Sequence, residues 1–152
     1  MKILLLIILL NLTLFAGVQK VVFDLTSGKI KTIEKRVFKN IKFLHTTFKK
    51  ENEQLKVTVV ISGSAYKYFI EDLENSPFKN EKSLYGEQQH KTHTAIKELI
   101  ENYDVVFEIC SKGMAARNIT AKSLFKEVTP IVNKYYGLIK WQNRGYAYIP
   151  VA

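Results

Sequence analysis

The residue most able to do chemistry in this chain is its single cysteine, Cys110. It closes the run DVVFEIC at positions 104–110, whose apolar, β-branched composition predicts a buried strand. Ser111, Lys112 and Gly113 follow with the composition of a loop, and residues 114–117 predict the first turn of a short helix. A thiol at the carboxyl end of a strand, facing a helix start and flanked by Lys112 and Arg117, sits where a thiolate is stabilised. Helix N-termini and nearby cations both lower a cysteine pKa. Two readings of Cys110 stand at this level: a reactive nucleophile, or an inert core residue, the usual fate of a lone cysteine ending an apolar strand. Glu108 lies two residues earlier and leaves the strand on the same face. Its carboxylate can hold Arg117 or a lysine, the more ordinary role, or act as an acid or base.

The elements that must position this thiol follow in a regular alternation. Residues 20–26 predict a first strand closed by Ser27 and Gly28, with Asp24 inside the apolar run, where it must be paired, hydrogen-bonded or at an edge. Residues 32–50 predict the clearest helix, with Ile33, Val37, Ile41, Leu44 and Phe48 on one stripe and His45 a structural residue beside it. A second strand at 56–62 ends in Gly63 and Ser64. A short amphipathic helix at 66–74, with Phe69, Ile70 and Leu73 inward, and a polar loop at 75–86 come next. A helix at 88–102 precedes the Cys110 strand. Residues 128–133 predict a fourth strand, with Pro130 marking an edge or a strand start. A helix at 135–144 stopped by Gly145 and a terminal strand at 146–151 complete the chain.

Strands alternating with helices predict an α/β domain with a mainly parallel sheet of about five strands, covered on both faces. Right-handed crossovers bring the strand carboxyl ends to one edge. Three of those ends carry Thr26, Ser27 and Gly28; Ser62, Gly63 and Ser64; and Cys110 with Ser111. They predict one substrate-binding crevice rich in hydroxyls and backbone N–H groups, with the thiol as its nucleophile.

Composition and the amino terminus bound the function. The chain has 23 Lys and Arg against 14 Asp and Glu, a net charge of +9, which favours acidic partners or an anionic surface. Met1-Lys2, the apolar run of residues 3–10, and Ala16-Gly17 predict a signal peptide over residues 1–16 and a mature domain over 17–152, although Leu14 is larger than the residue preferred three positions before the cut. A periplasmic or secreted protein is expected. Membrane contact is expected only if the segment stays uncleaved, since the apolar run is shorter than the roughly 20 residues that span a bilayer. That start, with the absence of a nucleic-acid motif, argues against nucleic acid as the partner. One cysteine allows no intrachain disulfide and no Cys-x-x-Cys redox pair. His90 and His93 can share a helix face, but nothing at a recognisable spacing completes a metal site, so no metal is expected. No phosphate-binding or dinucleotide loop and no Gly-x-Ser-x-Gly elbow occurs, so no cofactor is expected and a serine hydrolase is disfavoured.

Four segments, in this order and spacing, resemble the DsrE/DsrF-like family, specifically its small secreted members: VVFDLTSG at 21–28, VTVVISG at 57–63, FEIC at 107–110 followed by ARNI at 116–119, and WQNRGYAYI at 141–149. The resemblance covers nearly all of the mature chain. It implies a single three-layer α/β/α domain and a homo-oligomer, a trimer or hexamer. It also implies that Cys110 matches the cysteine that accepts a persulfide sulfur in cytoplasmic relatives and passes it on. Sulfur donor and acceptor proteins, or small sulfur species, are the partners so implied. Members of the family lose this cysteine without losing the fold, so a non-enzymatic oligomeric module binding a small ligand or anion, or a thiol redox switch, remains the alternative function.

Overall fold

The structure is a computed structural model and describes residues 17–152. The signal-peptide reading of residues 1–16 lies outside the described residues. Among the described residues no helix is long and apolar enough to cross a membrane.

Five strands, β1 (Gly17–Leu25), β2 (Glu53–Ile61), β3 (Val106–Cys110), β4 (Val128–Ile131) and β5 (Ala147–Val151), form one sheet in the order β4-β3-β2-β1-β5. Every neighbouring pair is parallel. The helices are α1 (Ile30–Ile33), α2 (Asn40–Lys50), α3 (Glu87–Tyr103), α4 (Ser111–Ala115) and α5 (Lys134–Gln142). A π-helical stretch, Glu34–Lys39, joins α1 to α2, so the helix expected over 32–50 is continuous but widened at its start. The wider turn lets the adjacent residues Val37 and Phe38 both be buried.

Strand alternation sorts the core into two layers. Val21, Phe23, Leu25, Val57, Val59, Ile61, Phe107 and Ile109 pack with Ile33, Val37 and Ile41 from the α1–α2 region and with Ile96 and Leu99 of α3. The other face is thinner: Val22, Val60, Ile131 and Leu138, with Trp141 and Tyr146 packed against them. Chain direction explains the asymmetry. The sheet grows from β1 to β4 in one direction, with its long helices on one face. The chain then returns past three strands to reach β5. A right-handed crossover in that reversed direction puts α5 on the opposite face. Gly137 lets α5 lie close, because a Cβ there would stand 2.5 Å from Ile131 Cδ1 and 3.4 Å from Val60 Cγ2.

The polar residues of this second face hold α5 down. Asp24, Val60 and Glu108 are in register across β1, β2 and β3. Asp24, 6% exposed, receives Lys134 Nζ at 3.0 Å and the Tyr148 hydroxyl at 2.9 Å. Glu108, also 6% exposed, pairs with Lys140 and accepts a hydrogen bond from Trp141 Nε1 at 2.8 Å. Thus the buried carboxylate of the first strand is paired, and Glu108 holds a lysine rather than Arg117.

Two local expectations change. Residues 66–74 form only a single 3₁₀ turn, Tyr66–Phe69, because Ile70 is extended and bridges to Leu124. Phe69, Ile70 and Leu73 are nonetheless buried as expected. There is also no loop after Cys110. Ser111 begins α4 directly, and Cys110 occupies its N-cap position. Trp141 is held inward by Glu108 and by the Tyr146 ring 4.8 Å away.

Candidate functional site

Cys110 sits where β3 ends and α4 begins, beside the first turn of α5. The backbone N–H groups of Lys112 and Gly113 in α4, and that of Lys134, the first residue of α5, stand near its sulfur and favour the thiolate. Asn133 caps α5, its side chain accepting from the Tyr136 N–H at 2.8 Å, which fixes this helix start in place. The Lys112 N–H also reaches the Val132 carbonyl at 3.3 Å, tying the two helix starts together. Two helix N-termini, each the positive end of a dipole, therefore converge on one thiol.

Beside them stands the hydroxyl of Tyr66, which comes from the turn after β2. It donates to the Cys110 carbonyl at 2.9 Å and also lies within hydrogen-bonding reach of the sulfur. One proton serves one acceptor at a time, so the carbonyl is its partner in the geometry seen here. Gly113 makes this approach possible. A Cβ there would meet Tyr66 Oη at 2.0 Å. Burial and the contact with Cys110 raise the Tyr66 phenol well above its ordinary value, so it remains a donor.

Burial pushes the Cys110 thiol up, since the residue is only 7% exposed. The Gly113 N–H, the Tyr66 hydroxyl and the N–H groups of Lys134 and Lys112 oppose burial and outweigh it, leaving the thiol below its ordinary value. Lys112 thus acts on the sulfur through its backbone. The Arg117 guanidinium lies 4.9 Å above the Tyr66 ring and donates to the Gly113 carbonyl at 3.1 Å.

A crevice of about 420 Å³ opens over the thiol. Of the residues expected to line it, Thr26, Ser62, Gly63, Cys110, Lys112 and Arg117 do so. Ser64 borders an adjoining hollow with Arg117 instead. Ser27 is buried with its hydroxyl 3.4 Å from the Lys29 N–H, Gly28 packs against Ser64, and Ser111 stands in the first turn of α4 away from the lining. Sequence reasoning missed Tyr66, Asn133, Lys134 and Tyr135, all of which line the crevice. Asn133 carried a usable signal, because an Asn between a strand and a helix marks a helix start at this edge. Nothing local to Tyr66 announced its contact with a residue 44 positions away.

The rest of the molecule offers less to a reaction. A second hollow of about 430 Å³ lies at the opposite edge of the sheet, lined by lysines and carboxylates together, with no thiol. His93 is stacked on Phe125 at 4.0 Å and lies 2.9 Å from Glu127, whereas His90 is exposed. No cluster of three metal-ligating side chains occurs among the described residues. His45 meets the Tyr103 ring edge-on at 4.9 Å.

Set against known proteins, residues 20–151 match the model of the DsrE/DsrF-like family. This chain belongs to the DsrE/DsrF-like family. An uncharacterised protein of Aquifex aeolicus (strain VF5) is 27% identical over 150 residues, which are 99% of this chain and 64% of that protein, so the chain spans less than two thirds of that curated relative. Among solved structures, the protein of unknown function MTH1491 from Methanobacterium thermoautotrophicum superposes with a TM-score of 0.64 at 17% identity, over 87% of this chain and 98% of that one. The ychN protein of E. coli gives 0.50 at 14% identity, with the same coverage. These likenesses establish a shared DsrE-like fold. The chemistry at Cys110 has to be argued from the site itself.

Proposed function

We propose that this DsrE/DsrF-like protein is a thiol-based sulfur carrier in which Cys110 accepts a sulfane sulfur as a persulfide and yields it to an acceptor thiol. The observation that carries the reading is the convergence of two helix starts on a recessed cysteine, which stabilises a thiolate without a partner cysteine. The thiolate attacks the outer sulfur of a donor R–S–SH. The S–S bond breaks, its electron pair leaves on R–S⁻, and Cys110–S–SH forms with no net oxidation or reduction. An incoming thiolate reverses the step onto the acceptor.

Intact-mass measurement after exposure to polysulfide tests this. A reducible gain of one sulfur atom, absent in Cys110→Ser, is the expected result. Gain of oxygen or of a mixed disulfide alone would make Cys110 a redox switch instead, and no change would leave a binding module.

The same reading includes export and assembly. N-terminal sequencing from the native host is expected to find the mature chain starting near Gly17, and Met1 retained in a soluble cytoplasmic form would end the export reading. The exposed stripe of Val132, Tyr135, Tyr136 and Ile139 at and around the start of α5 supports a closed homo-oligomer, a trimer or a multiple of it.

A further inference from the structure

The geometry points to a carboxylate-bearing, low-molecular-weight persulfide as the species that enters the Cys110 crevice. This rests on the carrier reading above and narrows its donor.

Access comes first. Cys110 is 7% exposed and lies behind the first turns of α4 and α5. A donor must therefore extend its sulfur into the crevice, which a small molecule does without displacing either turn. Size comes next. The crevice of about 420 Å³ falls within the roughly 300–1,000 Å³ of small-ligand pockets and far exceeds what a bare oxyanion or sulfide chain fills. An organic ligand with several groups to place is the better match.

Charge then sets its chemistry. The charged side chains lining the crevice are Lys112, Arg117 and Lys134, and no carboxylate lines it. Lys134 is already paired with Asp24. Lys112 and Arg117 are exposed and, among the described residues, have no carboxylate partner. Arg117 is the side chain suited to a carboxylate, because its planar fork matches the two oxygens. Ser62 and Thr26 place hydroxyl-bearing residues at the same crevice wall, and Asn133 adds an amide to it.

In the step itself Cys110 S⁻ bonds to the terminal sulfur of the donor. The donor S–S bond breaks, and the donor thiolate leaves with the electron pair. The proton stays on the transferred sulfur. The departing species is then an anion of higher charge, held by Lys112 and Arg117 until it diffuses out.

The test compares three donors on the full-length mature protein, with sulfur loading of Cys110 followed by mass spectrometry: glutathione persulfide, which carries carboxylates; cysteamine persulfide, which carries an ammonium; and inorganic polysulfide. Glutathione persulfide is expected to load Cys110 about tenfold faster than cysteamine persulfide, in line with electrostatic steering into a cationic cleft. That ratio is expected to fall toward one in the Lys112→Ala/Arg117→Ala double variant. It is expected to fall likewise in the unaltered protein as salt is raised, a measurement that needs no variant to fold. Equal rates from the two organic donors would overturn the inference while leaving the carrier reading intact if polysulfide still loads. Loading from polysulfide with neither organic donor reacting would overturn it as well. If no donor loads Cys110, the carrier reading falls. Calorimetric titration of Cys110→Ser with S-methylglutathione, which cannot transfer sulfur, then decides the ligand class alone: salt-sensitive binding weakened by Arg117→Ala supports it, and no binding overturns it.

Discussion

Gly113→Ala is the smallest change that attacks the architecture of the thiol site. The new methyl group would stand 2.0 Å from Tyr66 Oη and 2.8 Å from the ring carbon bearing it. Tyr66 is 1% exposed and its ring cannot swing freely, so either the ring or α4 must shift. Overpacking of this kind costs about 1–3 kcal/mol. Losing the Tyr66 bond to the Cys110 carbonyl adds about 1 kcal/mol. Replacing a helical glycine by alanine returns about 0.5–1 kcal/mol. The expected net loss is about 1–3 kcal/mol. Tyr66→Phe removes the closest atom of the clash, so Gly113→Ala should cost less in that background. The double-mutant cycle should show a favourable coupling of about 1 kcal/mol. Urea unfolding followed by Trp141 fluorescence measures it, since that indole packs against Tyr146 and donates to Glu108. Additivity within about 0.5 kcal/mol would refute the contact between these two residues.

The rate of Cys110 alkylation by iodoacetamide should reach half its maximum at a lower pH in the native protein than in the unfolded chain, because the N–H groups and Tyr66 favour the thiolate; a native profile at or above the unfolded one would remove the poised nucleophile. Burial raises Glu127, but its hydrogen bond to His93 and a backbone N–H lower it further, so its folded pKa lies below the unfolded carboxylate value of about 4.3. Its contribution to stability is therefore complete above that value and is lost as pH falls through the depressed folded one. The gap in melting temperature between the unaltered protein and Glu127→Gln should close in acid, and a gap constant from neutral pH to about pH 3 would refute this. Light scattering at micromolar concentration should report a closed homo-oligomer, and a monomer alone would end the assembly reading.

The strands were legible because each is a short β-branched run bounded by turn residues, and the order of the elements followed from their alternation. β1, β2 and β3 appear with their ends close to where the pattern placed them. The crevice was legible in part, since Thr26, Ser62, Gly63 and Cys110 follow from strand ends meeting at one edge. The rest depended on distance along the chain. The Lys134 ammonium meets a carboxylate 110 positions earlier, and that pairing follows only once α5 is known to return across the second face. The turn at Tyr66 was misread as a helix because its inward residues have helical spacing, whereas their burial comes from the bridge of Ile70 to Leu124. The helix start facing Cys110 was legible from the order of strand and helix, whereas the second one, at Lys134, comes from a distant stretch of chain that no local pattern links to the thiol.

The attachment of α5 through Asp24–Lys134 and Glu108–Lys140 gives the thiol a history during synthesis. β1 to β4 and all the long helices of the larger core lie before residue 132, ahead of the last helix in the order of synthesis. Until α5 docks, the Cys110 sulfur lacks the Lys134 N–H, and the wall of the crevice is missing. The thiol site is therefore completed only by the last helix, and the alkylation profile of Cys110 becomes a reporter of whether α5 has docked.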